Sequence, residues 1–270
     1  MNSRLLSPLL FFFLVSALVL SGCRSQSDSQ SDQDTASQEP TTATVAQKQT
    51  TMTWSYSGDT GPANWAALDE AYAACTGTQQ SPVDLAADDE AQSANIELDY
   101  AAAQGTLFDT GHGVQVNVEG GTMTIDGKAF ALKQFHFHTP SEHTLDGASY
   151  PAEAHLVHAA DDGELAVLGL FYEEGDTSNF LAPVWENLSD IPRAAPMTIN
   201  VATMLPSDRI AYTYRGSLTT PPCSENVRWH VMAQPLTLSP QQLESLTAIY
   251  DDNNRPVQPL NDRELDRVTL

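Results

Sequence analysis

The chain has 270 residues, 35 of them acidic and 12 basic, with a net charge of −23 and a hydrophobic content of 41%. That length suits one large domain or two small ones. So few Lys and Arg argue against binding nucleic acid or an anionic membrane through a basic surface, because phosphate contacts need those side chains.

Residues 1–22 have the layout of an export signal. Arg4 supplies a basic start, Leu5 to Leu20 is almost uninterrupted apolar sequence, and Ser21 and Gly22 lead into Cys23. The Leu-Ser-Gly-Cys ending resembles a bacterial lipoprotein cleavage box, which would make Cys23 the lipidated first residue of the mature chain. A transmembrane anchor is the rival reading, but the apolar run is short for a span. Residues 23–51 are rich in Ser, Gln and Thr and nearly empty of large apolar residues. Such a segment cannot bury enough surface to offset its ordering entropy, so a flexible tether is expected. The folded domain is expected over residues 52–270, starting near Trp54. With Cys23 set aside, Cys75 and Cys223 remain. In an oxidising compartment an even leftover pair points to one disulfide, closing a loop of about 148 residues. Two buried free thiols are the alternative.

The stretch from Ile96 to Glu174 reads mostly as strands. Val114, Val116 and Val118 alternate with polar neighbours. Thr122 to Ile125 and Ala129 to Leu132 flank Asp126-Gly127, a hairpin signal. Leu165 to Phe171 is wholly apolar and belongs inside a sheet. Helices are expected over Asn179 to Leu188 and from Ser239, an N-cap followed by Pro240 and the capping-box residue Gln242. Leu243, Leu246 and Tyr250 would form the apolar stripe of the second helix. The body is β-dominated α+β, a single domain with short peripheral helices.

Between these elements the stretch "QFHFHTPSEH" (134–143) holds three of the chain's seven histidines. Residues i and i+2 of a strand share a face, so Gln134, His136 and His138 face one way while Phe135 and Phe137 enter the core. Two imidazoles on one polar face suit a metal ion. A solvent-exposed face carrying them by chance is the plain alternative. A catalytic zinc site usually takes three protein ligands. In "AEAHLVH" (152–158), Glu153, His155 and Val157 share a face, with His158 on the other. If this strand neighbours the first, His155 completes a three-histidine cluster. Glu153 and Gln134 could then orient ligand imidazoles. His158 and His230 are read as structural, and His143 as a brace.

The segments "QFHFH", "SEH", "AEAHLVH", "LAVLGLF" and "GSLTTPPCSE" resemble the α-class carbonic anhydrases, as do "QQSPVDL" and "NNRPVQPLNDR". The matches run in order from Trp54 to Arg263, and the short linker and two-cysteine pattern resemble the bacterial branch. The resemblance implies a large, mostly antiparallel twisted central sheet with a conical cavity reaching a zinc ion. It makes His136, His138 and His155 the Zn2+ ligands, supported by Gln134, Glu153 and the backbone of Asn253. Thr219 would accept the hydrogen of a zinc-bound hydroxide and donate its own to Glu142. His112 would shuttle the proton. Val157, Val167, Leu218, Val227 and Trp229 would line an apolar CO2 pocket, with Thr220 at its polar edge. The implied reaction is reversible hydration of CO2 to bicarbonate and a proton. The N-terminal signal and Leu-Ser-Gly-Cys ending separately point to an exported protein of the periplasm or cell envelope, anchored to a membrane through lipid. The outer membrane is favoured if the source is diderm. Bacterial relatives suggest a homodimer. Gln115 stands where an asparagine is common in animal members.

Two other readings remain. His136-x-His138-x3-Glu142 superficially fits a cupin-type site with Glu142 as a ligand, which leaves His155 and "SLTTPP" unexplained. A non-catalytic binding lipoprotein is the second, and retention of all three histidines argues against it.

Overall fold

The computed structural model describes residues 53–86, 90–188 and 195–270. The expected signal (1–22), the tether (23–51) and lipidation at Cys23 lie outside them. All the described residues fall in one unit, Gln49–Leu270.

In chain order the strands begin with β1 (Asp84–Leu85), β2 (Gln92–Ser93), β3 (Ile96–Asp99), β4 (Ala102–Asp109) and β5 (Val114–Glu119). The hairpin β6 (Thr122–Ile125) and β7 (Lys128–His138) follows, then β8 (Thr144–Leu145), β9 (Ala148–Ser149), β10 (Ala152–Ala159) and β11 (Leu165–Glu174). The last four are β12 (Ala195–Asn200), β13 (Ile210–Ser217), β14 (Glu225–Leu238) and β15 (Asp266–Thr269). Among the described residues three short α-helices accompany them: α1 (Trp65–Leu68), α2 (Ala182–Asn187) and α3 (Pro240–Thr247).

Among the described residues twelve strands join one sheet whose main path is β12-β4-β5-β7-β10-β11-β14-β13-β15-β2. Most neighbours are antiparallel, but β11 pairs β14 and β15 pairs β2 in parallel, so the sheet is mixed. The sequence patterns account for the local pieces. Val114, Val116 and Val118 turn inward along β5. Asp126 and Gly127 take the left-handed backbone that a tight hairpin requires, with φ of 52° and 80°. The apolar β11 is held between β10 and β14.

Two helical expectations shift at their edges. α2 spans Ala182–Asn187 rather than Asn179 to Leu188, with Pro183 in its first turn, where a missing N–H costs no helical bond. α3 carries the expected capping box between Ser239 and Gln242 but ends at Thr247. Tyr250 therefore lies beyond it, and its hydroxyl donates to Asp109.

Two apolar clusters flank the sheet. One gathers Phe130, Phe135, Phe137, Leu156 and Leu168. The other gathers Val167, Phe171, Val227, Trp229 and Val231. Cys75 and Cys223 are joined as expected across a separation of 148 residues, beside Trp65. Among the described residues no helix is long and apolar enough to cross a membrane.

Candidate metal centre

β7 and β10 pair antiparallel with His136 directly opposite His155. Strand alternation puts His138 on the same face two residues on. The register alone thus assembles the three imidazoles, and one nitrogen of each lies within 4.8 Å of the others.

The second nitrogen of every ring is held by hydrogen bonding. His136 Nδ1 donates to Gln134 Oε1 at 2.8 Å, and His138 Nδ1 to the Asn253 carbonyl at 2.7 Å. His155 Nε2 donates to Glu153 Oε1 at 2.9 Å. A carbonyl or carboxylate cannot donate, so each bond fixes a tautomer whose other nitrogen presents a lone pair. His138 Nε2 is buried and has no hydrogen-bond partner. Burial, aided by the neighbouring rings, holds His136 well below the usual histidine range. Burial likewise lowers His138, with Glu142 opposing it. At His155 burial acts downward, but Glu153 outweighs it and raises the pKa.

Glu153 is fully buried and serves four donors. Its Oε2 accepts from the backbone N–H of Glu142 and of His143, both at 2.9 Å. Its Oε1 takes His155 and His143 Nδ1, the latter at 2.7 Å. Burial alone would raise this carboxyl; the two histidines outweigh it and keep it ionised. His143 Nε2 in turn accepts from the Tyr214 hydroxyl at 2.7 Å, and Tyr214 meets Ser81 Oγ at 2.8 Å. His143 therefore braces the cluster, as the sequence suggested. Glu153, His143 and His155 also form a second close group. Their facing atoms are already hydrogen-bonded to one another, which leaves that group no lone pairs for a metal.

Glu142 departs from expectation. Its Oε1 accepts from the Arg255 backbone N–H at 2.8 Å. Its Oε2 has no hydrogen-bond partner and lies 3.5 Å from His138 Nε2 and 3.8 Å from His155 Nδ1. The expected bond from Thr219 is not made, because the carboxylate edge is turned toward the two imidazoles. The cupin-type arrangement has no role for His155, which stands opposite His136 and completes the three-histidine group, and is disfavoured on that ground.

A cavity of about 200 Å³ opens onto His136 and His138 and is lined by Trp54, His112, Gln115 and Thr220. The His112 ring stacks on Trp54, with centroids 3.6 Å apart and planes 13° apart. Burial lowers its pKa, partly offset by Asp109. Asn253 ties this loop to the histidines: its Nδ2 donates to the His112 carbonyl at 3.2 Å while its own carbonyl holds His138. Val157, Val167, Leu218, Val227 and Trp229 meet in one apolar cluster. Trp229 packs edge-on against His155 with centroids 4.8 Å apart.

Arg255 was not singled out from the sequence. It is buried, and its guanidinium donates to Gln80 Oε1, the Ser81 carbonyl and the Cys75 carbonyl. The disulfide, the chain start of the domain and Glu142 therefore meet at one residue. Nothing local marks it; a buried arginine is recognisable only from its partners.

The donor set fits zinc. Three imidazole nitrogens with their far sides fixed, one nitrogen orphaned and a cavity beside them match a site that keeps a position open. A family model described as eukaryotic-type carbonic anhydrase matches residues 60–269. A carbonic anhydrase of Pectobacterium atrosepticum is 39% identical over 216 residues, 78% of this chain and 88% of that protein. One from Nostoc is 41% identical, over 79% of this chain and 85% of that one. Among solved structures, the α-carbonic anhydrase of Thermovibrio ammonificans in complex with the inhibitor sulfanilamide has a TM-score of 0.75 at 41% identity. It covers 79% of this chain and 98% of that one.

Proposed function

The chain belongs to the eukaryotic-type carbonic anhydrases, and from that membership we propose how its residues divide the work of hydrating CO2 to bicarbonate and a proton. The observation that carries the reading is His138 Nε2, buried and without a hydrogen-bond partner among three imidazoles whose other nitrogens are fixed. His136, His138 and His155 hold Zn2+, each as a neutral imidazole. When bound there, zinc supplies a Lewis acid that brings the pKa of water down to about 7.

The remaining roles belong to side chains. Gln134, Glu153 and the Asn253 carbonyl set the tautomers and so keep the lone pairs pointing inward. CO2 has no net dipole and nothing to donate, so the apolar wall of Val157, Val167, Leu218, Val227 and Trp229 suits it, with Thr220 at the edge. Thr219 orients the attacking oxygen by accepting its hydrogen, and requires the Glu142 carboxyl to turn and accept its own. His112 carries the released proton outward, since imidazole titrates near neutrality.

The disulfide between Cys75 and Cys223 supports an exported protein. The basic start, apolar run and Leu-Ser-Gly-Cys sequence support lipid attachment at Cys23 and a place in the cell envelope. Oxygen-isotope exchange between CO2 and water tests the activity on the residue 53–270 domain. Exchange that needs one bound zinc per chain is expected; zinc-independent exchange, or none with zinc bound, would contradict the reading.

A further inference from the structure

On the sheet face opposite Trp229 lies a cleft of about 740 Å³, against about 200 Å³ at the histidines. Strand register builds its floor. Asp266 on β15 lies opposite Thr213 on β13, and Thr213 opposite His230 on β14. Adjacent strands stand about 4.8 Å apart, so this row spans roughly 10 Å. Two residues along, Arg215 lies opposite Arg228.

Like charges in direct register repel unless they are neutralised. Glu164 neutralises this pair only in part. Its Oε1 accepts from both arginines at 2.8 Å, while Oε2 also serves Lys128 at 2.7 Å. A third guanidinium in the lining, Arg263, gives its hydrogen bonds to the main-chain carbonyls of Pro259, Leu260 and Arg215. Arg215 and Arg228 thus share one carboxylate, which Lys128 also draws on.

His230 supplies the second observation. It lines the cleft, is 4% exposed, and neither ring nitrogen has a hydrogen-bond partner. Leaving such groups unpaired inside a protein is costly. Burial, reinforced by Arg228, keeps the ring neutral, with its pKa lowered to about 3. It therefore offers one N–H and one lone pair.

The occupant follows from the charge pattern. A simple anion would suit the arginines but meet Asp262, Glu264 and Asp266, which also line the cleft. A simple cation would meet the reverse problem, and a neutral solute would use neither set of charges. The volume lies within the usual range for small-molecule sites. We propose that this cleft binds a small zwitterion of the amino-acid or short-peptide class. Its carboxylate is held by Arg215 and Arg228 beside His230, and its ammonium by Asp266 and Glu264. The site is separate from the histidine centre and does not depend on the catalytic reading.

Isothermal titration of the zinc-loaded protein with glycylglycine tests it, with N-acetylglycine as the anion-only and glycinamide as the cation-only control. Glycylglycine is expected to bind and to shift the His230 ring nitrogens in NMR spectra. Arg228→Gln and Asp266→Asn should each weaken binding about tenfold, the scale of one charge-assisted contact, with CO2 hydration unchanged. Absence of glycylglycine binding, equal binding of either control, or wild-type affinity in both variants would overturn the proposal.

Discussion

Replacing Glu153 with glutamine probes how the ligand set is held. The carboxylate accepts two backbone N–H groups on one oxygen and two imidazole N–H groups on the other. An amide has one oxygen. If that oxygen keeps the backbone pair, the NH2 faces His143 Nδ1 and His155 Nε2, which must both become acceptors. The His155 proton then moves to Nδ1, the nitrogen on the side of the three-histidine group. If the amide flips, its NH2 faces two buried backbone donors, a conflict of about 1–3 kcal/mol for each unmet group. Either arrangement removes the support that fixes a metal-ligating imidazole, so zinc affinity should fall about 10–100-fold, or roughly 1.4–2.7 kcal/mol. Competition with a chelator at pH 7 measures the affinity, and long-range nitrogen–proton NMR reads the His155 tautomer. A folded Glu153→Gln variant that binds zinc within a factor of two of wild type, with His155 still protonated at Nε2, would refute the reasoning.

Three further outcomes are expected. His112→Ala should lower kcat about tenfold or more, at least 1.4 kcal/mol in barrier, yet barely change kcat/KM. Imidazole buffer should restore much of the loss, and an unaltered kcat in weak buffer would remove His112 from the mechanism. Substituting both Cys75 and Cys223 by Ala should destabilise the domain by up to about 4–5 kcal/mol, from the loop their bond closes. Denaturant titration checks this, and an unchanged midpoint would count against it. Burial lowers His158 to about 4 and His230 to about 3, so the unfolded chain takes up these protons first as the solution is acidified. Their contribution is complete above about pH 6.5 and is lost as pH falls toward those values, at about 1.4 kcal/mol per pH unit for each ring. His230→Leu should therefore flatten the stability–pH slope between about pH 6 and 4.5 by that amount; an unchanged slope would show that the ring is not held neutral.

Much of the centre was legible because it depends on strand period. The i, i+2 spacing of Gln134, His136 and His138 decides their common face, and the hairpin at Asp126-Gly127 needs only its own turn chemistry. That His155 faces His136 was conditional on β7 and β10 being neighbours, a matter of topology. What stayed hidden is long-range. Asn253 reaches His138 across 115 residues through a main-chain carbonyl, which carries no side-chain signature. Arg255 and the His143–Tyr214–Ser81 chain are defined by partners from three separate parts of the sequence. The resemblance supplied Asn253. The parallel joining of β11 to β14 appeared only with the fold, since hydrophobic runs do not report strand direction.

On the proposed reading, three histidines on two paired strands hold the zinc that makes this domain a catalyst. Stopped-flow CO2 hydration, with zinc content measured on the same samples, tests it on wild type and on His155→Ala. One zinc per chain and fast hydration are expected for wild type, and loss of both in the variant while its fold persists. A His155→Ala protein that kept a full complement of zinc and wild-type hydration would contradict it.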